Sequence, residues 1–379
     1  MKVIGVIIEA NPFHNGHQYL IDKIKEENPN ALLVAVCSGY FSMRGEISVL
    51  PKYEKTQILL SAGFDLVIDL PLLCSLNSSQ KFAENSLYLL KQAKITDLYF
   101  GLEQGSVDEL NRIINLENHP NYKNILSKNL NSEYSYKKAI SKTILDLSND
   151  QVLYNLSLLP NITLALDYLR IIKNLYPNVT PHSIVRIGED DNSITLNTIP
   201  SGTGLREALK KNIDVDAFIN YDSRNFINLN TSYQNISTLF NALLLKDSSY
   251  YKNFHLINEG IENYILNNIN INNTFEQNIN LLANKKYTKS RIRRSILSMI
   301  LELPKYIDED IPFRVLGFSK NGEKHLKCLN DIKIYSNIKN INSKYYEFEL
   351  SASKLYNIIT NKNTIINEYK FPIKEKNHE

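Results

Sequence analysis

Four short apolar runs separated by helical patterns set the tightest limit on how this chain can fold. They are Val3 to Ile8, Ala31 to Ser38 (ALLVAVCS), Asp65 to Leu70 (DLVIDL) and Asp97 to Phe100. Each is nearly continuous in apolar character, which predicts strands buried on both faces. Helical patterns lie between them. One starts near Asn15 with Leu20, Ile21 and Ile24 on one face; another spans Pro51 to Ala62, with Pro51 suited to a first helical turn; a third spans Gln80 to Lys91. This alternation predicts an α/β fold, a Rossmann-like parallel sheet covered by helices. In such sheets ligands bind at the carboxyl ends of the strands. Glu9 to His17, Ser38 to Arg44, Asp69 to Leu72 and Gly101 all fall at those ends.

The first strand end carries the most chemistry. Asn11-Pro12 stops the strand, and His14-Asn15-Gly16-His17 sits where the chain turns into a helix. Unpaired main-chain N–H groups and the positive end of the helix dipole meet there, so an anion is favoured. Gly16 has no side chain, so a phosphate chain can lie on the backbone between two imidazoles. The plainer account is a helix capped by Asn15, with both histidines facing solvent. His-x-Gly-His after a first strand looks like the signature of the nucleotidyltransferase superfamily, whose two histidines hold a nucleoside triphosphate while its α-phosphate is attacked.

At 379 residues and 43% hydrophobic content the chain can build two domains. The expected division is 1–211, a nucleotide-binding catalytic domain, and 212–379, a mainly helical domain. The net charge of +3 permits an RNA partner without requiring one. Cys37, Cys74 and Cys328 lack metal-ligand spacing and fit a reducing cytoplasm, so no protein-held metal is expected. Glu9 and Asn11 interrupt the first apolar run too early for a signal peptide, and no run reaches membrane-span length. Neither a membrane nor a DNA partner is expected.

Further along, Val107 to Leu116, Tyr134 to Leu147 and Ile162 to Asn174 read as helices, the last opened by Pro160-Asn161. Ser183 to Gly188 reads as a short strand, with an acidic turn at Glu189 to Asn192. Ser201-Gly202-Thr203-Gly204-Leu205-Arg206 leads into a helix over Glu207 to Lys211, and its hydroxyls, amides and Arg206 suit the same phosphates; an ordinary Ser cap is the alternative. Beyond Asn212 the chain turns Asn-rich and helical, and Asn267 to Asn280 reads as a loose helix or loop. Lys285, Lys286, Lys289, Arg291, Arg293 and Arg294 place six cations in ten residues at the start of an amphipathic helix. That segment is either a solvated face or a phosphate-contacting patch for RNA. Phe313 to Phe318 reads as a compact apolar turn, and the tail after Phe371 as frayed.

Several elements in order resemble the bacterial tRNA(Met) cytidine acetate ligase family: Glu9 to His17, Ser38 to Glu46, Ala62 to Pro71, Phe82-Ala83-Glu84, Phe100-Gly101, Pro160-Asn161, Arg186-Ile187-Gly188, Arg291 and Arg314 to Phe318. The resemblance is strongest up to Gly101 and sparse in the second half. It implies an enzyme that activates acetate with ATP as acetyl-adenylate, releasing pyrophosphate. The acetyl group then passes to N4 of the wobble cytidine in elongator tRNA(Met), releasing AMP. It also implies a nucleotide stretch over Ile7, Ile8, Glu9, Ala10, Asn11, Pro12, Phe13, His14, Asn15, Gly16, His17, Gln18, Tyr19 and Leu20. Further ATP contacts are implied at Gly101, Asn161, Arg186 and Ile187. Two positions depart from the family pattern: Ile162 replaces a second Asn, and Leu102 replaces a Ser.

Acetate is already a nucleophile, so its attack needs alignment and charge neutralisation. His14, His17, the helix N-terminus and a nucleotide-borne Mg²⁺ would supply these. Arg186, Arg44 and Arg206, in that order, suit phosphate or tRNA backbone, and Lys285 to Arg294 suits the tRNA grip. A small-molecule adenylyl- or cytidylyltransferase shares the histidine site and stays open on the residues alone. So does a non-catalytic nucleotide-sensing RNA-binding protein. A class I aminoacyl-tRNA synthetase would need a Lys-Met-Ser-Lys-Ser-like loop, of which Lys286 to Ser290 is only an echo.

Overall fold

The computed structural model describes residues 2–132, 134–186 and 200–375. Its centre is an eight-stranded sheet made of β1 (Val3–Ile8), β2 (Leu32–Ser38), β3 (Leu66–Leu70), β4 (Asp97–Leu102), β5 (Thr180–Val185), β6 (Phe313–Phe318), β7 (Ile334–Tyr335) and β8 (Ile373–Lys374). The order is β5-β4-β1-β2-β3-β6-β7, with β8 also on β6. Every pairing is parallel except β3 with β6.

Pleating sends successive side chains to opposite faces, and β2 shows it directly. Leu32, Val34 and Val36 enter the core beneath helices Ser79–Gln92 and Ile162–Leu175, while Leu33, Ala35 and Cys37 pack with Ile21, Ile24 and Leu59 on the other face. All seven β2 residues are buried, and each large apolar side chain so removed from water contributes about 1.5–3 kcal/mol. Such burial makes apolar alternation within a strand unnecessary, so the sequence shows a continuous run instead.

The apolar segment Phe313–Phe318, expected as a turn, is β6. It runs antiparallel to β3, so the second half of the chain completes the sheet begun by the first. A buried arginine at its second position, Arg314, breaks the run and hides the strand in the sequence. The tail expected to fray pairs with β6 through Ile373 and Lys374. β5 starts at Thr180, three residues before the expected Ser183; Gly188 and the acidic stretch Glu189 to Asn192 lie outside the described residues. Asn267 to Asn280, expected as a loose helix or loop, holds the end of helix Ile261–Asn268, a turn over 269–274 and the start of helix Phe275–Leu282.

Helices Leu229–Ala242, Ile261–Asn268, Phe275–Leu282, Lys289–Ile300 and Lys344–Thr360 form a second apolar core with Tyr40, Phe41, Val49, Leu50, Leu72 and Leu73, which follow β2 and β3. This helical layer therefore lies over the carboxyl ends of those strands. Among the described residues, no helix is long and apolar enough to cross a membrane.

Candidate active site

One cavity lies at the carboxyl ends of β1, β4 and β5. Its lining includes Ile7, Ile8, Glu9, Ala10, Asn11, His14, Gly16, His17, Tyr19 and Leu20 from the first strand, turn and helix. Arg44, Gly101, Asn161, Arg186, Ser201, Thr203 and Arg206 join them from elsewhere in the chain. Pro12, Phe13, Asn15 and Gln18 are not among the lining residues, and Ile187 lies outside the described residues. Phe13 is instead fully buried, its ring stacked 5.4 Å from that of His17. Asn15 Nδ2 donates to the Ala217 carbonyl, and Gln18 Nε2 to Asp22.

His14, rather than Asn15, caps helix Asn15–Glu27. Its Nδ1 accepts from the Gly16 N–H at 3.0 Å, while the His14 N–H donates to His17 Nδ1 at 3.3 Å. A ring nitrogen that accepts carries no proton, so with Nδ1 accepting each imidazole holds its hydrogen on Nε2. Burial pushes His17 well below the ordinary histidine range, with His14 and Arg186 adding to the shift. The pair thus sets Nε2–H groups beside a helix N-terminus, the pattern that receives negative charge.

Gly101 lies inside β4 rather than after it. A Cβ there would come 2.7 Å from Arg186 Nε, so only glycine lets the Arg186 side chain lie across the strand. Asn161 precedes helix Ile162–Leu175, and its Nδ2 donates to Glu103 at 2.7 Å. The two family departures, Leu102 and Ile162, are fully buried in the apolar core.

Ser201 caps helix Gly202–Lys210, its Oγ accepting from the Gly204 N–H at 3.0 Å. Arg206 is buried: one nitrogen donates to the Asn11 carbonyl at 2.6 Å, and another to Thr203 and to Glu46.

The basic segment divides in two. Lys285, Lys286 and Lys289 are exposed, whereas Arg291, Arg293 and Arg294 are half-buried. Arg291 bonds Asn258, Arg293 pairs with Glu276 at 2.6 Å, and Arg294 donates to the Met43 carbonyl at 3.1 Å. Only Lys289 onward is helical, with Thr288 as the cap.

Sequence reasoning missed the wall formed by Phe82, Phe100, Leu164, Ala165, Tyr168 and Ile184, and the polar Glu46, whereas Ser42 belongs to the Ser38 to Arg44 stretch expected at a strand end. It also missed a buried charge cluster behind the site. Lys52 Nζ lies 3.2 Å from Asp69, 2.6 Å from Glu349 and 3.0 Å from Glu368, and Arg314 pairs with Asp69 and Glu368. Nearby, Lys55 Nζ donates to the carbonyls of Glu9, Ser38 and Gly39 at 2.9–3.0 Å, tying the ends of β1 and β2 together. Lys52 and Lys55 sit within the apolar-looking Pro51 to Ala62 pattern, whose periodicity gives no hint of their partners.

The sheet, the histidine pair and the helix N-terminus define a nucleotidyltransferase of the His-x-Gly-His type. In agreement, a family model described as HIGH Nucleotidyl Transferase matches residues 1–370. A tRNA(Met) cytidine acetate ligase of Caldanaerobacter subterraneus is 30% identical over 94% of this chain and 95% of its own. Another, from Staphylococcus saprophyticus, is 29% identical over 98% and 99%. The crystal structure of Thermotoga maritima TmcAL (apo, form I) superposes with a TM-score of 0.86 at 22% identity, covering 99% of both chains. A second, bound with alpha-thio ATP, gives 0.83. The chain belongs to the HIGH nucleotidyltransferases and, among them, to the tRNA(Met) cytidine acetate ligase family.

Proposed function

We propose that this chain acetylates N4 of the wobble cytidine in elongator tRNA(Met). It consumes ATP and acetate through acetyl-adenylate and releases pyrophosphate and AMP. The observation that carries the reading is the fixed pair of Nε2–H donors on His14 and His17 beside a helix N-terminus. The relatives' names and the alpha-thio ATP complex of the Thermotoga protein support it.

In this reading the triphosphate lies over Gly16 with His14 and His17 on its phosphates. Arg44 and Arg186 neutralise charge as acetate attacks the α-phosphate. The Phe82–Phe100–Tyr168 wall takes the adenine. Among the described residues no group of three or more His, Cys, Asp or Glu gathers where a metal could be held. In this reading Mg²⁺ comes with the triphosphate as part of the substrate. Ser201, Thr203 and Arg206 shape the cavity from the far side. Lys285, Lys286 and Lys289 contact the tRNA backbone, while the wobble base leaves its stack to reach the site. The reaction belongs to the cytoplasm, where charged and uncharged tRNA circulate.

Nucleoside mass spectrometry on tRNA incubated with the protein, ATP, Mg²⁺ and isotope-labelled acetate tests this. Labelled N4-acetylcytidine in elongator tRNA(Met), lost in His14→Ala, is the expected result. Pyrophosphate release with a phosphorylated metabolite, and no labelled cytidine, would instead support the small-molecule nucleotidyltransferase.

A further inference from the structure

Acetyl transfer has a chemical need that the phosphate-binding residues do not meet. The exocyclic amine of cytosine is a weak nucleophile because its lone pair is delocalised into the ring. As that nitrogen bonds to the acetyl carbon it must lose a proton, so a positioned base speeds the step.

We infer that Glu9 takes this proton and is a catalytic residue of the transfer step. The inference rests on the proposed reading of the site. Among the described residues lining the cavity, Glu9 and Glu46 are the only carboxylates. Glu46 is committed, with Arg206 at 2.8 Å holding it as an ion pair. His14 and His17 each use Nδ1 to accept a main-chain N–H, so neither offers a lone pair to the cavity. Tyr19 and Tyr168 are phenols, and burial raises Tyr168 further above neutrality. Glu9 remains.

Its geometry suits the task. Glu9 follows β1 directly, so a strand end fixes its backbone. Oε1 accepts from the Met43 N–H at 2.5 Å, which orients the carboxylate. Oε2 takes no hydrogen bond among the described residues, yet it is not a buried unpartnered atom either; the side chain lines the cavity. The charged and titratable groups around it are Arg44 and Glu46 from the loop after β2, Lys55 from helix Lys52–Ala62, Cys37 of β2 and Tyr168 of helix Ile162–Leu175. Burial, the largest influence, raises the Glu9 carboxyl above its ordinary value, making it a better base than an exposed glutamate.

The step balances as follows. The N4 lone pair forms a bond to the acetyl carbonyl carbon. The bond from that carbon to the phosphate oxygen breaks, and its electron pair leaves on AMP. The N4 proton passes to Glu9 Oε2, which then releases it to solvent and is reset.

The test uses Glu9→Gln, which keeps the size and an acceptor for the Met43 N–H but cannot take a proton at neutral pH. Two rates are measured in the same preparation: acetyl-adenylate formation, trapped by hydroxylamine as acetohydroxamate, and acetylation of elongator tRNA(Met). The ratio of transfer to adenylate formation is expected to fall about 100-fold, because any loss in ATP binding cancels. An unchanged ratio overturns the inference. If E9Q does not fold, the pH dependence of the wild-type ratio decides. A rise with pH through one ionisation above 4.5 supports Glu9, and a flat profile overturns it. A wild-type chain that forms no acetyl-adenylate overturns the functional reading and this inference with it.

Discussion

Arg206 and Glu46 pair at 2.8 Å, joining the helix that starts at Gly202 to the loop that follows β2. Burial pushes the Glu46 carboxyl up, but Arg206, Arg293 and Arg44 more than reverse this and hold it below the ordinary carboxylate range. Arg206 also grips the Asn11 carbonyl, so three separate segments meet at one guanidinium. Arg206→Ala strands a buried carboxylate and is expected to cost about 3 kcal/mol of stability in urea unfolding. It should also raise KM for ATP, because both cavity walls lose their tie. Glu46 stabilises only while ionised in the fold, so this contribution is full above its unfolded pKa and fades as acid protonates it.

The histidine pair gives the most direct catalytic prediction. His17→Ala removes one prepositioned donor and should lower pyrophosphate–ATP exchange by about 10²–10³-fold, with circular dichroism unchanged. His14→Ala should show the same loss plus about 1 kcal/mol of instability, since His14 also caps the helix.

The charge cluster makes a prediction about pH. Two cations, Lys52 and Arg314, face the three carboxylates Asp69, Glu349 and Glu368, so one negative charge is in excess. Burial pushes Glu349 up to about 7 against the pull of Lys52, with Asp69 and Glu368 adding to the rise. A folded pKa above the unfolded one stabilises below the unfolded value near 4.5 and is lost as pH rises through about 7. Glu349→Gln should remove that slope from urea midpoints measured over this range. Lys52→Met leaves three buried carboxylates with one cation and should cost about 3–5 kcal/mol.

Exposed and inward cations should separate in tRNA binding. Reversing Lys285, Lys286 and Lys289 to Glu should weaken tRNA affinity and flatten its salt dependence by about 0.7–0.9 per lost phosphate contact, leaving adenylate formation intact. Arg294→Ala should instead leave tRNA affinity intact and lower acetyl transfer relative to adenylate formation, because Arg294 holds the loop whose Met43 N–H orients Glu9.

The parallel strands and the histidine turn were legible because each is a local pattern: a continuous apolar run, then a residue that caps a helix. β6 was not legible. Its Arg314 reads as a break until its partners are known, and Asp69 lies in β3 while Glu368 lies near the chain's end. Arg293 and Arg294 looked like solvent-facing cations for a related reason. Composition records charge density but not that Glu276 and the Met43 carbonyl are waiting for them. The apolar cavity wall escaped notice because Phe82, Phe100 and Tyr168 are also what a core contains.

The antiparallel seam between β3 and β6 has a consequence for synthesis. A nascent chain completes β3 at Leu70 but makes its edge partner only from Phe313 onward. At about 5–20 residues per second, translation leaves that edge open for on the order of ten seconds or more. Unpaired strand edges recruit other chains, so the emerging polypeptide needs shielding on the ribosome until Phe313–Phe318 arrives.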